Sequence, residues 1–217
     1  MDPSSARMLR SVASRPLGTS AALLAAASDL LTRGGPAYVT LREVGARAGV
    51  SRTAPYRHFR DKDDLLSAIA AENLDFMGSS MRNAAADIGA GGTALYRACL
   101  GYVTAAMRRP AHYRLVFGDF QIGNPSKALQ EAADRCVAYL YELVAEAQGD
   151  GTLIAGDIRD IAALLWAALH GLVDLTLASH LREPRTVNGT DATPRLIAMA
   201  LENLSPARVS PARVPAS

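Results

Sequence analysis

The stretch from residue 40 to residue 66, TLREVGARAGVSRTAPYRHFRDKDDLL, restricts the possible folds of this chain more than any other part. A first helix is predicted to begin after Thr40, because this threonine and a glutamate three residues later have the spacing of a capping box. Gly49 falls where helices commonly end, since glycine adopts a left-handed conformation without a Cβ clash. Ser51 can then cap a second helix, predicted over residues 52–59. Two short helices joined by a tight turn form a helix-turn-helix, whose second helix fits the major groove of DNA.

The second predicted helix carries side chains that suit DNA contact. Arg52 and Arg57 can meet phosphates or a guanine edge. Thr53 can donate to a phosphate or touch a thymine methyl group, and the nearby tyrosine and histidine can stack or hydrogen-bond. Pro55 lacks an N–H and discourages helical geometry before it, but it lies near the first turn, where its rigid ring can press against a base. A helical pair that merely packs in a core would not explain this cluster of cationic and aromatic side chains, so DNA binding is the favoured interpretation.

These residues resemble the TetR family of bacterial transcriptional regulators at its DNA-binding end. The resemblance rests on Gly49-Val50-Ser51, on Tyr56-Arg57-His58-Phe59, on Lys62 followed by Asp64-Leu65-Leu66, and on Leu24, Ala27, Leu31, Gly34 and Thr40, so it covers roughly residues 17–70. In the family the lysine at the position of Lys62 contacts the DNA backbone, and the resemblance implies that role here. The predicted DNA-binding residues are Thr40, Ser51, Arg52, Thr53, Pro55, Tyr56, Arg57, His58 and Lys62.

Charge is distributed unevenly along the chain. Residues 1–60 hold nine arginines, no lysine and three acids, a net charge of +6, whereas the remaining residues contribute −4 to the overall +2. A basic module joined to a mildly acidic body is the electrostatic footprint of DNA binding at one end only. A non-specific DNA-packaging protein is the alternative, but it is expected to spread basic charge over the whole body. Residues 1–16 are predicted to form a flexible basic arm, which can follow the phosphate backbone or have no role.

Helical spacing and helix-ending residues predict an all-α chain of about nine helices in two domains. Residues 17–62 form the predicted three-helix DNA-binding domain, and residues 63–205 form a larger domain for effector binding and dimerisation. Residues 206–217 are predicted to be a disordered tail. Besides the helix-turn-helix pair, the predicted helices cover residues 17–33, a long segment from 62 to the break at 88, and residues 93–109, 111–117, 126–148, 157–182 and 194–204.

The predicted helix over residues 157–182 is apolar around nearly its whole circumference, which predicts one face for its own core and another for a partner. In the TetR family the last two helices pair with their copies across a two-fold axis, and Trp166, His170 and Gly171 resemble the W-x-x-x-H-G signature of one class of TetR C-terminal domain. The resemblance implies a homodimer through residues 157–182 and 194–204. Independently, helix-turn-helix proteins read two half-sites, so a two-fold protein matches a palindromic operator in double-stranded DNA.

The family normally encloses a small-molecule pocket among its central helices, and the resemblance implies one here. Aromatic and methionine side chains with a few polar tips have the composition that a ligand cavity needs. Each of them alone is an ordinary core residue, and a histidine on such a helix is usually structural. Few charged residues occur among them, so an uncharged, lipophilic effector is expected. The predicted ligand-binding residues are Tyr102, Met107, Tyr113, Phe117, Phe120, Trp166 and His170.

Other classes of site find little support in the sequence. The four histidines are scattered, so no metal site is predicted, and no cofactor is expected. Cys99 and Cys136 lack the C-x-x-C spacing and are predicted to be buried, reduced thiols. His170 and Asp174 lie one helical turn apart, but no nucleophile motif accompanies them, which makes an enzyme the weaker alternative.

The apolar segments of the sequence bear on where the protein is located. No uninterrupted apolar stretch is predicted to be long enough to span a bilayer, so no membrane contact is expected. The alanine-leucine run near the N-terminus is predicted to be an amphipathic helix rather than a signal peptide, because its pattern continues past Asp29 to Leu31. A cytoplasmic protein is therefore expected.

The expected function is sequence-specific regulation of transcription. As a hypothesis, the protein represses a promoter by occupying its operator, and an effector in the body moves the helix of Lys62 so that the two reading helices no longer match the half-sites. The alternatives are a non-specific architectural DNA-binding protein and a helical enzyme that uses the body pocket.

Overall fold

The computed structural model describes residues 18–181 and 192–206. In those residues the chain forms eight α-helices and no β-strand, which confirms the all-α prediction. The predicted arm over residues 1–16 and the predicted tail beyond residue 206 lie outside the described residues. The helices are α1 (Thr19–Gly34), α2 (Leu41–Arg47), α3 (Lys62–Ala86), α4 (Ala94–Arg108), α5 (Pro110–Phe117), α6 (Lys127–Gly149), α7 (Ile158–Leu177) and α8 (Thr193–Asn203).

Side-chain oxygen atoms start four of the longer elements where the sequence predicts them. Asp61 accepts a hydrogen bond of 2.8 Å from a backbone N–H in the first turn of α3, and Thr93 accepts one of 3.1 Å in the first turn of α4. Ser126 and Asp157 do the same for α6 and α7. Each bond satisfies a backbone donor that has no partner within the helix. Local chemistry therefore sets these helix starts.

The second helix of the helix-turn-helix differs from the prediction. The segment contains turns and one turn of 3-10 helix at Pro55–Arg57, so no α-helix covers residues 52–59. Pro55 has no N–H to donate back to Ser51, and Ala54 instead donates its N–H to the Ser51 carbonyl oxygen at 3.0 Å. Bonds to the third residue back are those of a 3-10 helix. This segment explains why the described residues contain eight α-helices where about nine were predicted.

The end of α7 also differs from the prediction. Apolar spacing predicts a helix to residue 182, but α7 ends at Leu177. Ser179 adopts a left-handed conformation with a φ of 57°, and the N–H groups of His180 and Leu181 donate to the carbonyl oxygen of Leu175 at 2.9 and 3.2 Å. These bonds turn the chain back on the last helical carbonyl groups and end the helix.

The prediction about membrane-spanning length was wrong for α7. Its 20 residues reach a mean hydropathy of 1.5 over an 18-residue window, so length and composition alone would allow it to cross a bilayer. One side of α7 is nevertheless packed inside the protein through Ile161, Leu165, Leu169 and Val173. The apolar residues on that side of α7 pack in the core, whereas those on the opposite side, including Leu164 and Leu175, are exposed.

Two large hydrophobic clusters lie along α3, besides a small one of Ala71, Leu74 and Ala132. The head cluster joins α1, α2 and the first turns of α3, and it includes Leu31, Val44 and Leu65. The body cluster joins the later turns of α3 with α4, α6, α7 and α8, and it includes Tyr102 and Val144. Because α3 contributes to both clusters, a displacement of this helix in the body is carried to the head by close packing.

Candidate DNA interface and effector cavity

The reading segment, defined here as residues 51–58, is positioned by the two ends of α2. The hydroxyl oxygen of Thr40 accepts a hydrogen bond of 3.2 Å from the backbone N–H of Glu43 at the start of α2. Gly49, which follows the C-terminal end of α2, has a φ of 68°. Glycine adopts this left-handed conformation readily because it has no Cβ atom. The turn then directs the reading segment across the outside of the head cluster.

Most of the side chains predicted to contact DNA are exposed on the reading segment. The side chain of Tyr56 is 60% exposed. Within the described residues, no carboxylate forms an ion pair with Arg52, Arg57 or Lys62. Uncompensated cations on an exposed segment are suited to phosphate contact. The exposed predicted residues of the segment are Ser51, Arg52, Thr53, Tyr56, Arg57 and His58.

Pro55 is an exception, and a base contact for its ring is not supported. The residue is buried, and a Cβ added at Gly45 of α2 would lie 2.9 Å from its Cγ atom. The ring therefore packs against the backbone of α2, where only a glycine leaves enough space. Pro55 thus helps to position the reading segment on α2, and its predicted contact with DNA stays a prediction.

Lys62 is the first residue of α3 and is half-buried beside the reading segment. Its neighbour Asp64 accepts hydrogen bonds from Arg60, one from the backbone N–H at 3.1 Å and one from the guanidinium at 3.3 Å. The backbone hydrogen bond is the main reason why the pKa of Asp64 lies below its ordinary value, and the side chain of Arg60 adds to it. Arg60 is thus paired with Asp64, whereas Lys62 forms no ion pair within the described residues.

Two exposed side chains next to Thr40 extend this surface and were not selected from the sequence. Tyr38 is 62% exposed, and its ring lies over Gly34, where a side chain would overlap it. Arg42 is exposed on the first turn of α2. Both residues lie within two positions of Thr40, the predicted DNA-binding residue at the start of α2. This proximity could have indicated from the sequence that they are candidates for phosphate contact.

An apolar cavity of about 100 Å³ lies inside the body. Of the seven residues predicted to bind a ligand, Tyr102, Phe117 and Trp166 line it, and the lining residues that carry polar groups include Tyr102, Trp166 and Cys136. The cavity is far smaller than the roughly 300–1,000 Å³ of typical ligand sites. The remaining walls come from α3, α5, α6 and α7 and comprise Leu74, Met77, Met81, Val116, Ala133, Val137, Leu140 and Leu169.

The other four predicted ligand-binding residues are placed differently. Met107 is 37% exposed on α4 and does not line the cavity, because its side chain faces outward. Phe120 is also 37% exposed and lies in the loop after α5, so it does not line the cavity either. Tyr113 and His170 lie behind the cavity wall, where they are joined by a hydrogen bond.

His170 links three helices behind the cavity. Its Nε2 atom lies 2.8 Å from the hydroxyl of Tyr102 on α4, and its Nδ1 atom lies 2.7 Å from the hydroxyl of Tyr113 on α5. A neutral imidazole has one donor and one acceptor nitrogen, so one tyrosine donates to it and the other accepts. The rings of Phe117 and Trp166 contact the same imidazole, with centroids 4.5 and 5.2 Å away. Both ring nitrogens of His170 therefore take part in hydrogen bonds within this cluster.

Burial tunes the groups of this cluster toward their neutral forms. It lowers the pKa of His170, although the nearby Asp174 acts in the opposite direction. It also raises the pKa of the Tyr102 and Tyr113 hydroxyls. Neutral groups that satisfy one another fit an apolar interior, because an unpaired charge there would be costly.

α5 touches both the head and the body. His112 places its Nε2 atom 2.6 Å from the hydroxyl of Ser28 on α1, while the next residue, Tyr113, bonds to α7 through His170. Leu115 is 2% exposed and belongs to the head cluster, and Val116 and Phe117 line the cavity. This short helix therefore connects the cavity with the module that carries the reading segment.

Two histidines, the buried His112 and the half-buried His170, predict a loss of stability in mild acid. Burial lowers the pKa of His112, with a smaller contribution from Arg109, and burial also lowers the pKa of His170. The unfolded chain then binds more protons than the folded one below the ordinary histidine pKa of 6.5. The free energy of unfolding, measured with urea, is expected to be full at about pH 7.5 and smaller at about pH 5.5.

A double variant, His112→Gln with His170→Gln, provides the comparison for this prediction. It is expected to be less stable overall but to lose most of the pH dependence between those two values. An unchanged pH dependence in the double variant would show that other groups carry it.

The thiols and the metal-binding side chains of the described residues form no further site. Cys99 and Cys136 are both free thiols, and burial raises the pKa of Cys99 to about 12. Cys136 is half-buried and donates to the carbonyl oxygen of Leu74 at 3.2 Å. In residues 18–181 and 192–206, no group of three or more His, Cys, Asp or Glu side chains is placed to hold a metal ion.

Two family models match separate parts of the chain. Residues 23–69 match the family described as bacterial regulatory proteins, tetR family. Residues 95–200 match the domain described as tetracyclin repressor-like, C-terminal domain. Together the two matches cover the head, the cavity and most of the helices behind it.

Curated relatives match over part of their length. An HTH-type transcriptional repressor of Mycobacterium tuberculosis is 39% identical over 61 residues, which are 28% of this chain and 30% of the relative. The HTH-type transcriptional activator FasR of Mycolicibacterium smegmatis is 27% identical over 129 residues, 58% of this chain and 59% of the relative. The matches thus span less than two thirds of either relative.

Solved structures share the fold over most of the chain. A Rhodococcus protein of unknown function superposes with a TM-score of 0.73 at 23% identity, covering 89% of this chain and 96% of that one. The complex of SmeT with triclosan superposes with a TM-score of 0.62 at 22% identity, covering 93% of this chain and 99% of that one. With family matches to both the head and the body and a shared fold, this chain belongs to the TetR family of bacterial regulatory proteins.

Proposed function

We propose that the protein is a sequence-specific transcriptional regulator that binds a palindromic operator through the reading segment. The observation that carries this proposal is a set of three cations, the exposed Arg52 and Arg57 and the half-buried Lys62, with which no carboxylate forms an ion pair within the described residues. Thr53 and Tyr56 stand between them and offer contacts to base edges. The division into a DNA-binding part up to about residue 62 and a sensing part after it, in a cytoplasmic and non-catalytic protein, belongs to the same proposal.

The functional unit in this proposal is a homodimer formed by α7 and α8. The outer stripe of α7, defined here as Leu164, Ala168, Gly171 and Leu175, runs along one side of the helix, and its two leucines are 56% and 43% exposed. Met199 on α8 is 48% exposed. Apolar faces of this kind mark association sites, and a two-fold pair would present two reading segments to half-sites about 34–36 Å apart.

The sign of regulation in the proposal is repression, relieved by a lipophilic effector in the cavity. SmeT, which shares the fold, has been solved in complex with triclosan. An effector that enlarges the cavity would displace α5 and α3, and both helices also contribute to the head cluster. Release follows only if the effector binds the displaced form more tightly, since equal binding to both forms shifts nothing.

Selective retention of genomic DNA tests the proposal directly. Purified protein is mixed with pooled genomic fragments at two salt concentrations, and the retained fragments are sequenced. A palindromic site that survives the higher salt is the expected result, because base contacts persist where purely ionic binding is lost. Unselective retention that disappears with salt would favour the non-specific architectural alternative.

Single substitutions in the reading segment and at Lys62 are expected to separate two kinds of contact. Arg57→Ala and Lys62→Ala should weaken binding to all sequences alike and lower the salt slope by about 1 each, because each removes a phosphate contact. Thr53→Ala should change base preference with little change of the salt slope. Fluorescence anisotropy with the recovered operator and its single-base variants measures both quantities.

A body variant serves as the control for these substitutions. Arg135→Ala removes a cation that pairs with Asp75 at 2.7 Å, far from the reading segment, and should leave DNA binding unchanged. Uniform effects of Arg57→Ala, Lys62→Ala and Thr53→Ala on all sequences would contradict the division of roles.

A further inference from the structure

Two hollows of the protein meet at one side chain. The inner cavity described above has a volume of about 100 Å³. A second hollow, called here the junction cleft, has a volume of about 570 Å³ and lies where the end of α1 and the turn after it meet α5, the following loop and the end of α7. Among the described residues, Phe117 alone lines both hollows.

Phe117 is held in a way that permits displacement. It is the last residue of α5, is half-buried, and is followed by an irregular loop. Its recorded partners are the rings of Tyr113, Trp166 and His170, and its side chain has no hydrogen bond to break. Tyr102 and Tyr113, by contrast, are tied to His170 by hydrogen bonds. Rotation of Phe117 is therefore the least costly way to join the two hollows.

The sizes of the hollows restrict what each can hold. An apolar cavity of about 150 Å³ can take a benzene ring, so the inner cavity, at about 100 Å³, suits a short alkyl group, or a ring once Phe117 has rotated. A drug-sized effector needs roughly 300–1,000 Å³. The junction cleft alone has such a volume, but only the cleft joined to the inner cavity also encloses an apolar end of the ligand.

The chemistry of the junction cleft favours an uncharged polar group. Arg114 lines it and donates to the carbonyl oxygen of Leu177 at 3.1 Å, while Asp119 and Asp174 supply opposite charge. Arg33, also in the lining, is paired with Asp29 at 3.1 Å. A charged head group of either sign would meet a like charge here, whereas a hydroxyl group can donate to a carboxylate and accept from a guanidinium.

We propose that Phe117 separates two compartments of a single effector site, and that the effector is an uncharged amphiphile. Its ring or short alkyl end occupies the inner cavity after Phe117 rotates, and its hydroxyl head lies in the junction cleft. This inference rests on the proposed effector response. Because Leu31 and the segment Gly34–Pro36 also line the cleft, the head group contacts the DNA-binding module itself.

The test uses 4-pentylphenol as the probe and pentylbenzene, which lacks the hydroxyl, as its matched partner. Trp166 is the only tryptophan of the chain and lines the inner cavity, so quenching of its fluorescence reports binding without any DNA present. The phenol is expected to bind about tenfold more tightly than the hydrocarbon, an effect of the size of one hydrogen bond.

Association rates from stopped-flow quenching test the role of Phe117. Phe117→Ala is expected to speed association about tenfold, because no rotation is needed, and Ala178→Phe, which fills only the cleft, is expected to slow it about tenfold. Ala133→Phe fills the inner cavity from α6 and should weaken binding mainly through faster dissociation. Ala178 is exposed, so that variant stays informative if Phe117→Ala folds poorly.

Three results would overturn the proposal. Unchanged rates in Phe117→Ala and Ala178→Phe, with slower association in Ala133→Phe, would place the access route between α6 and α7. Equal affinity for the two probes would remove the role of the cleft. Absence of quenching by either probe would reject this class of effector, while operator binding, measured without any effector, would still judge the proposed function separately.

Discussion

Leu164→Asp combined with Leu175→Asp is expected to yield a monomer that binds the operator about a thousandfold more weakly than the unchanged protein. The two leucines lie on the outer stripe of α7, three helical turns apart, and are 56% and 43% exposed. No charged residue occurs between Asp160 and Asp174 on this helix. An aspartate buried at a paired interface without a partner cation is strongly destabilising, whereas in the isolated protomer it is simply hydrated.

Sedimentation velocity and operator binding measure the two parts of this result. The matched control, Ile88→Asp with Met107→Asp, adds the same charge at apolar residues that are 84% and 37% exposed away from α7 and α8. It should leave both the assembly state and the affinity unchanged. A dimer that persists in the α7 variant, with full operator affinity, would show that another surface joins the protomers.

Gly101→Ala is expected to lower the free energy of unfolding by about 3 kcal/mol, the upper part of the range for overpacking. Gly101 lies on α4 where this helix crosses α3, and a Cβ there would be 2.6 Å from the backbone oxygen of Ser80. The hydroxyl of Ser80 also donates to the carbonyl oxygen of Gly101 at 2.9 Å. Neither backbone can yield without separating two helices that form the centre of the body cluster.

Urea unfolding followed by circular dichroism measures this loss. Gly149→Ala is the control, because Gly149 ends α6 and a Cβ there meets no atom within 4 Å. That variant should be neutral or slightly stabilising, since alanine favours a helix more than glycine does. A similar small effect of Gly101→Ala would mean that α3 and α4 can move apart freely, which the proposed signalling through α3 does not allow.

Much of this protein was determined by short stretches of sequence. Thr40, Asp61, Thr93, Ser126 and Asp157 accept hydrogen bonds from N–H groups two or three residues ahead, so their effect needs no distant partner. Proline and glycine act in the same local way where they end or begin elements. For this reason the helix starts, the all-α class and the exposed cationic segment after α2 could be predicted before any packing was known.

The tertiary structure decided what depends on residues far apart in the chain. Pro55 is buried because Gly45 leaves room for it, and the sequence did not predict this packing contact. The cavity has walls from five helices, so spacing within one helix could select Tyr102 and Trp166 but could not exclude Met107, which faces outward from the same α4. The placement of α5 between head and body, and of Phe117 between two hollows, follows from how whole helices pack. Helical periodicity shows which side of a helix is apolar, but only packing determines what that side contacts.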